Sequence, residues 1–318
     1  MYSLIFHWGL YAVPAYGDEW YEKRLLKPPH KKNYNYEVTK RIRDHHREVY
    51  NNAPYSDFQA GFHPEKWDPS TWMALASELD AEYVLLTCKH HDGFCLWPTS
   101  TTDYHTARDV VGDFKAAALS AGRKFGLYYS WWEFRHDVDK GTPEGEVYLR
   151  RMVAQVKELC DAYAPEIWWF DGHWAFRTQH AVDAINEALA YIVSRTPNAQ
   201  INDRTGATPE LEAAKEKCQD FMPPYCTFRV YKDRAIPKVA PTVPWEHIGT
   251  VGTSWGRDKT QKTEDYKSGE KLWIIEQQVE ALGGRVCWNF GPDAEGSLDP
   301  MEVSALTELA EIRRKSVV

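Results

Sequence analysis

Seven short runs of apolar and β-favouring residues recur along the chain, and each ends on or just before a polar or aromatic residue. They are Ser3 to Phe6, Tyr83 to Thr87, Phe125 to Tyr129, Glu166 to Phe170, Ala199 to Asn202, Val243 to Trp245 and Arg285 to Phe290. Between several of them lie stretches with helix start signals, the alternation expected of a parallel sheet wrapped by helical crossovers. Asp68-Pro69 opens Ser70 to Leu79, and Thr142-Pro143 opens Glu144 to Tyr163, each as a cap followed by a first-turn proline. Asp113 opens Phe114 to Ser120, and a last helix spans Pro300 to Lys315. Leu149, Met152, Val153, Val156 and Leu159 recur at helical spacing, so that stripe packs on the sheet. The predicted fold is α/β, a single (β/α)8-like TIM barrel with room for irregularity, occupying residues 1–318 as one catalytic domain.

Composition enters by what it excludes. With 43% hydrophobic and 26% charged residues there is enough apolar material for a core and nothing that forces disorder. A net charge of −8 argues against a polyanionic partner such as nucleic acid, and a neutral substrate fits better. No apolar run is long enough to cross a membrane, and the N-terminus lacks the basic stretch and apolar segment of a secretory signal. Cys88, Cys95, Cys160, Cys218, Cys226 and Cys287 form no C-x-x-C pair, so free thiols in a reducing, cytoplasmic compartment are expected. The segment Lys27 to Tyr55 has weak periodicity and reads as a long surface excursion, either shaping the mouth of a site or forming a solvated loop with a helical turn.

In a parallel barrel the catalytic groups stand where strands end, which singles out His7, His90, His91, Asp171, Arg204 and Glu246. Asp171 follows Ile167-Trp168-Trp169-Phe170 and precedes Gly172, so an apolar strand delivers a carboxylate to a turn that permits close backbone approach. Glu246 follows Val243-Pro244-Trp245 and supplies a second carboxylate. Two carboxyl groups about 5 Å apart can carry out double displacement at a sugar carbon, one attacking while the other gives and then takes a proton. His90-His91-Asp92 lacks the ligand spacing of a metal site, so no metal is expected and hydrogen bonding to a polar ligand is the better use. Dinucleotide, phosphate-loop and serine-hydrolase motifs are absent from the sequence, which counts against those chemistries.

At these same residues the chain resembles the α-L-fucosidases of glycoside hydrolase family 29. The resemblance runs in the family's order through Phe6-His7-Trp8-Gly9-Leu10-Tyr11, Asp18-Glu19-Trp20-Tyr21, Lys89-His90-His91-Asp92-Gly93-Phe94 with Leu96-Trp97, and Gly126-Leu127-Tyr128-Tyr129-Ser130. It continues through Trp169-Phe170-Asp171-Gly172, Asn202-Asp203-Arg204, Trp245-Glu246 and Ser254-Trp255-Gly256. It implies a retaining exo-α-L-fucosidase in which His7, His90, His91, Tyr128 and Arg204 hold the sugar hydroxyls. Trp20 and Trp255 then pack on its apolar face and methyl group, Asp171 is the nucleophile, and no metal or organic cofactor is implied. Many members place the acid/base glutamate in a segment resembling Asp220-Phe221-Met222-Pro223-Pro224-Tyr225, which here has none, so Glu246 takes that role by default. Many members also carry a β-sandwich after the barrel that this sequence lacks. Selection of the fucoside then falls to barrel loops or to a neighbouring subunit of a homo-oligomer, and short members point to α-1,6-linked fucosyl-N-acetylglucosamine. The alternatives are a glycosidase for a related sugar, and a catalytically impaired fucose-binding barrel protein.

Overall fold

The computed structural model describes residues 2–28, 30, 35–138 and 141–316. Its strands are β1 (Tyr2–Phe6), β2 (Tyr83–Lys89), β3 (Lys124–Ser130), β4 (Ile167–Asp171), β5 (Gln200–Ile201), β6 (Glu246–Thr250) and β7 (Arg285–Phe290). All pair in parallel, in the order β5-β4-β3-β2-β1-β7-β6, so that β7 joins β1 and the sequential strands β5 and β6 stand at the two edges. Nearly every strand residue is buried, as a sheet covered on one face by helices and filled on the other by its own side chains requires.

The sheet curls into a barrel whose eighth position is reduced to a short bridging segment. The Thr227 and Phe228 amides donate to Ile201 O beside β5, while the Arg229 amide donates to Pro244 O and the Glu246 amide to Arg229 O beside β6. Isolated bridges Asn202 to Phe228 and Arg229 to Trp245 span the two sheet edges. Asp203 pins this segment, accepting from Arg229 Nε at 3.0 Å and from the Val230 amide at 2.8 Å.

The helices are α1 (Tyr21–Leu26), α2 (Tyr36–Tyr50), α3 (Pro69–Glu78), α4 (Val110–Ser120), α5 (Pro143–Tyr163), α6 (Gln179–Arg195), α7 (Pro209–Lys217), α8 (Gly269–Ala281) and α9 (Pro300–Ser316). The Asp68 and Thr142 caps form as expected, accepting from the amides of Ser70 and Gly145. Helix α4 begins earlier than its sequence signal. Asp109 is the cap, accepting from Gly112 N, and Asp113 sits inside the first turn. The Lys27 to Tyr55 excursion contains the 15-residue α2, whereas Pro29 and residues 31–34 lie outside the described residues. Its buried positions Thr39, Ile42 and His46 have helical spacing, but two of them are polar, so an apolar count passes over the pattern.

The strand expected over Val243 to Trp245 lies instead at Glu246–Thr250. This correction moves Glu246 from the end of a strand to its beginning, and therefore to the opposite mouth of the barrel from Asp171. No helix among the described residues is long and apolar enough to cross a membrane. All six cysteines are unpaired.

Candidate active site

The C-terminal strand ends converge on one pocket lined by His7, Glu19, Trp20, His90, His91, Tyr128, Trp169, Asp171, Trp174, Arg204, Asp233, Ile248 and Trp255. It encloses about 380 Å3 of empty space, open mouth included. Every residue singled out from the sequence except Glu246 is among these. His7 follows β1, His90 and His91 follow β2, Tyr128 lies on β3, Asp171 ends β4 and Arg204 follows β5.

The local sequence explains each placement. Asn202 clamps β5 to β4, its side chain accepting from Phe170 N at 2.8 Å and donating to Phe170 O at 2.9 Å, which fixes the chain on either side of Asp171 and Arg204. Trp131 Nε1 donates to Arg204 O at 2.8 Å. Gly172 turns the chain with φ 75°, and a Cβ there would stand 2.9 Å from the Trp132 amide nitrogen, so only glycine lets β4 deliver its carboxylate into this corner. His90 and His91 do not diverge as they would on an extended chain. They sit in the turn after β2 with ring centres 4.2 Å apart, and both face the pocket.

Asp171 is the electrostatic centre of the pocket. Arg204 Nη1 donates to its Oδ1 at 2.7 Å, Tyr128 Oη donates to Oδ2 at 2.9 Å, and His91 Nε2 lies 3.6 Å from Oδ2. Burial pushes its pKa up, but the Arg204 guanidinium outweighs that and holds it at about 2, so the group is a carboxylate. Burial also lowers His7 to about 3 and His91 to about 4, and drives His90 well down; all three are neutral at ordinary pH. Trp255 flanks His7 with ring centres 5.4 Å apart, and Arg234 lies over the other part of its ring at 4.7 Å. Trp20, Trp132, Phe134 and Trp174 wrap His91, giving the mouth an aromatic wall.

Glu246 does not belong to this pocket. Its carboxylate is buried at the N-terminal end of the barrel, bound by Arg285 Nε at 2.9 Å, by the Tyr83 hydroxyl, and by Trp169 Nε1 at 3.0 Å. Tyr83 and Arg285 begin β2 and β7 as Glu246 begins β6, so the cluster is a polar plug across three strand starts. The Trp169 ring stacks on Tyr128 and carries Arg204 over its face at 4.6 Å, and so forms the floor between the plug and the pocket.

Two pocket carboxylates escaped the sequence reading. Asp233 accepts from Arg204 Nη2, so one guanidinium spans Asp171 and Asp233. Glu19 receives the Trp255 amide at 3.2 Å and Ser254 Oγ at 3.3 Å, and burial together with Asp18 raises it to about 7. Asp233 lies in a loop without periodicity. Glu19 has a signal in the sequence, because it stands beside Trp20 in Asp18-Glu19-Trp20-Tyr21. Asp220, in the segment where a glutamate was sought, is spent on Thr242, whose amide and hydroxyl it accepts. Among the described residues no group of three or more His, Cys, Asp or Glu is arranged to hold a metal ion.

The model of the family described as Alpha-L-fucosidase matches residues 3–314. An alpha-L-fucosidase of Dictyostelium discoideum is 28% identical over 97% of this chain and 67% of its own length, and the tissue alpha-L-fucosidase of Rattus norvegicus is 28% identical over 94% and 63%. The chain thus spans about two thirds of the curated relatives it matches. Among solved structures, the Thermotoga maritima alpha-fucosidase in complex with a mechanism based inhibitor superposes with a TM-score of 0.80 at 29% identity, covering 99% of this chain and 72% of that one. The Lactobacillus casei alpha-L-fucosidase bound to its alpha-L-fucose product, at 22% identity and a TM-score of 0.76, shares the fold over 99% of this chain and 96% of its own.

Proposed function

Because the chain belongs to the alpha-L-fucosidase family, we propose that it hydrolyses terminal α-L-fucosides with retention of configuration, using Asp171 as nucleophile. The observation that carries this reading is the pairing of Asp171 and Asp233 on one guanidinium at the pocket mouth. A shared guanidinium keeps the two carboxyl groups close, as a retaining pair separated by about 5 Å requires.

In the first step an Asp171 oxygen attacks the anomeric carbon while the glycosidic oxygen leaves, taking a proton. Water then attacks the fucosyl ester and gives its proton back to the same acid/base group. The low pKa of Asp171 keeps it ionised for attack, and the Tyr128 hydroxyl and Arg204 hold its two oxygens in place. Asp233 is the acid/base in this reading, because it faces the mouth with its side chain 42% exposed and can exchange protons with solvent. Glu19 supports a second assignment. Its carboxyl is raised to about 7 and so carries a proton near neutral pH, although one of its oxygens is held by the 254–256 turn.

The neutral histidines and the tryptophans suit an uncharged deoxysugar with one apolar edge, Trp20 and Trp255 offering the flat surfaces. The proposal extends to α-1,6-linked fucosyl-N-acetylglucosamine. The additional rotatable bond of that linkage lets the second ring turn away from the pocket. The test is turnover of an aryl α-L-fucoside followed by NMR of the first-formed sugar. Release of α-L-fucose supports the proposal, release of β-L-fucose overturns retention, and fucose binding without turnover of any fucoside supports an impaired sugar-binding protein instead.

A further inference from the structure

Two pocket histidines are each held from behind by a side chain whose own hydrogen-bonding capacity is already committed. Asn289, fully buried on β7, donates from Nδ2 to Trp255 O at 2.7 Å and presents Oδ1 to His7 Nδ1 at 2.5 Å. A carbonyl oxygen can only accept, so the amide end facing Trp255 is the NH2 group and the end facing His7 is the oxygen. That oxygen cannot donate, and the hydrogen therefore sits on His7 Nδ1.

Ser130, fully buried at the end of β3, reaches the same result by a different route. Its single hydroxyl hydrogen goes to Trp132 O at 2.5 Å, so its oxygen can only accept from His91 Nδ1, 2.6 Å away. Each ring is then left with a bare Nε2. For His91 that lone pair faces the Asp171 carboxylate across 3.6 Å, two acceptors opposed with no hydrogen of the protein between them. A ligand hydroxyl placed there supplies the missing donor.

We propose that Asn289 and Ser130 are positioning residues that fix His7 and His91 as Nδ1–H tautomers, so that the pocket meets its ligand with two Nε2 lone pairs and selects sugars whose hydroxyls are free to donate. The consequence for substrate choice rests on the fucosidase reading: fucosides O-methylated or O-acetylated at the hydroxyls that meet these histidines are refused even where the added group fits. The tautomers follow from the protein alone and stand without that reading.

The closing experiment separates the two. Long-range 1H–15N correlation spectra of the 15N-histidine-labelled protein at pH 7 read the tautomer of each ring without any turnover. His7 and His91 are expected to show a protonated Nδ1 and an unprotonated Nε2. Asn289→Leu and Ser130→Ala are expected to convert His7 and His91, respectively, to tautomer mixtures and to raise KM about tenfold with little change in kcat, the mark of binding lost equally from ground and transition states. Asn289→Asp keeps an acceptor on His7 and restores its Nδ1–H pattern, and Ser130→Thr does the same for His91. An Nε2–H tautomer or an imidazolium at either residue in the unmodified protein overturns the inference, and that spectrum decides even if a variant fails to fold. Correct tautomers in a protein that turns over no α-L-fucoside would leave this inference standing and remove the proposed activity.

Discussion

Arg204 donates to Asp171 Oδ1 from Nη1 and to Asp233 Oδ1 from Nη2, so a single side chain sets both the charge and the spacing of the two carboxylates at the mouth of the barrel. The guanidinium is buried, and its neighbouring carboxylates raise its own pKa. A lysine keeps the charge but not the fork. Arg204→Lys is therefore expected to lower kcat/KM by about 100-fold, the loss of one charge-assisted, geometry-setting contact in the transition state. The pH profile gives the sign. The wild-type Asp171 is held at about 2 against a burial effect that pushes upward, so weakening the cation raises its pKa and moves the acid limb of kcat/KM to higher pH. In the wild type the stability due to this ionisation is present above the unfolded value near 4 and is lost as pH falls through about 2. A pH–rate profile of both proteins from pH 3 to 7 checks the shift.

Asp233→Asn tests the acid/base assignment through leaving-group dependence. Removing a general acid costs roughly 100- to 10,000-fold where the departing oxygen needs a proton. Aryl fucosides with poor leaving groups are expected to slow by that amount, whereas α-L-fucosyl fluoride should change by less than about tenfold. If Asp233→Asn slows both classes equally and Glu19→Gln shows the selective loss, the acid is Glu19.

Glu246→Gln is expected to leave turnover within about fivefold of wild type for both leaving-group classes, because Trp169 stands between this carboxyl and the pocket. Its effect should appear in stability. Burial raises Glu246 to about 7, with Arg285 opposing, so the folded state holds its proton more tightly than the unfolded chain. That contribution is fully present below the unfolded value near 4.3 and is lost as pH rises through about 7. Urea unfolding at pH 5 and pH 8 should show wild type losing stability relative to Glu246→Gln at the higher pH. A selective loss of activity on poor leaving groups would instead return the acid role to Glu246.

Much of the site was legible because a parallel barrel converts chain order into position. Residues just past apolar runs become neighbours at one mouth, so chain order alone gathers His7, His90, His91, Asp171 and Arg204. The misplacement of Glu246 has the same origin. Glu246-His247-Ile248-Gly249-Thr250 carries three charged or polar residues and a glycine, and reads locally as a loop. It is a strand because Glu246 meets Arg285 and Tyr83 inside the barrel, partners 39 and 163 residues away that no local window contains. Asp233 entered the pocket through Arg204 alone, a contact between two loops with no pattern in the chain. The bridging segment is equally hidden, since Phe228 and Arg229 extend only where both sheet edges offer them partners.

The most direct test of the account is covalent trapping. A 2-deoxy-2-fluoro-α-L-fucosyl fluoride slows hydrolysis of a fucosyl ester more than its formation, so a retaining enzyme accumulates the ester on its nucleophile. Incubation followed by protease digestion and mass spectrometry is expected to show one added 2-fluorofucosyl group on the peptide containing Asp171. The same label found on Asp233, Glu19 or Glu246, or no label from an enzyme that releases the inverted sugar, would contradict the account.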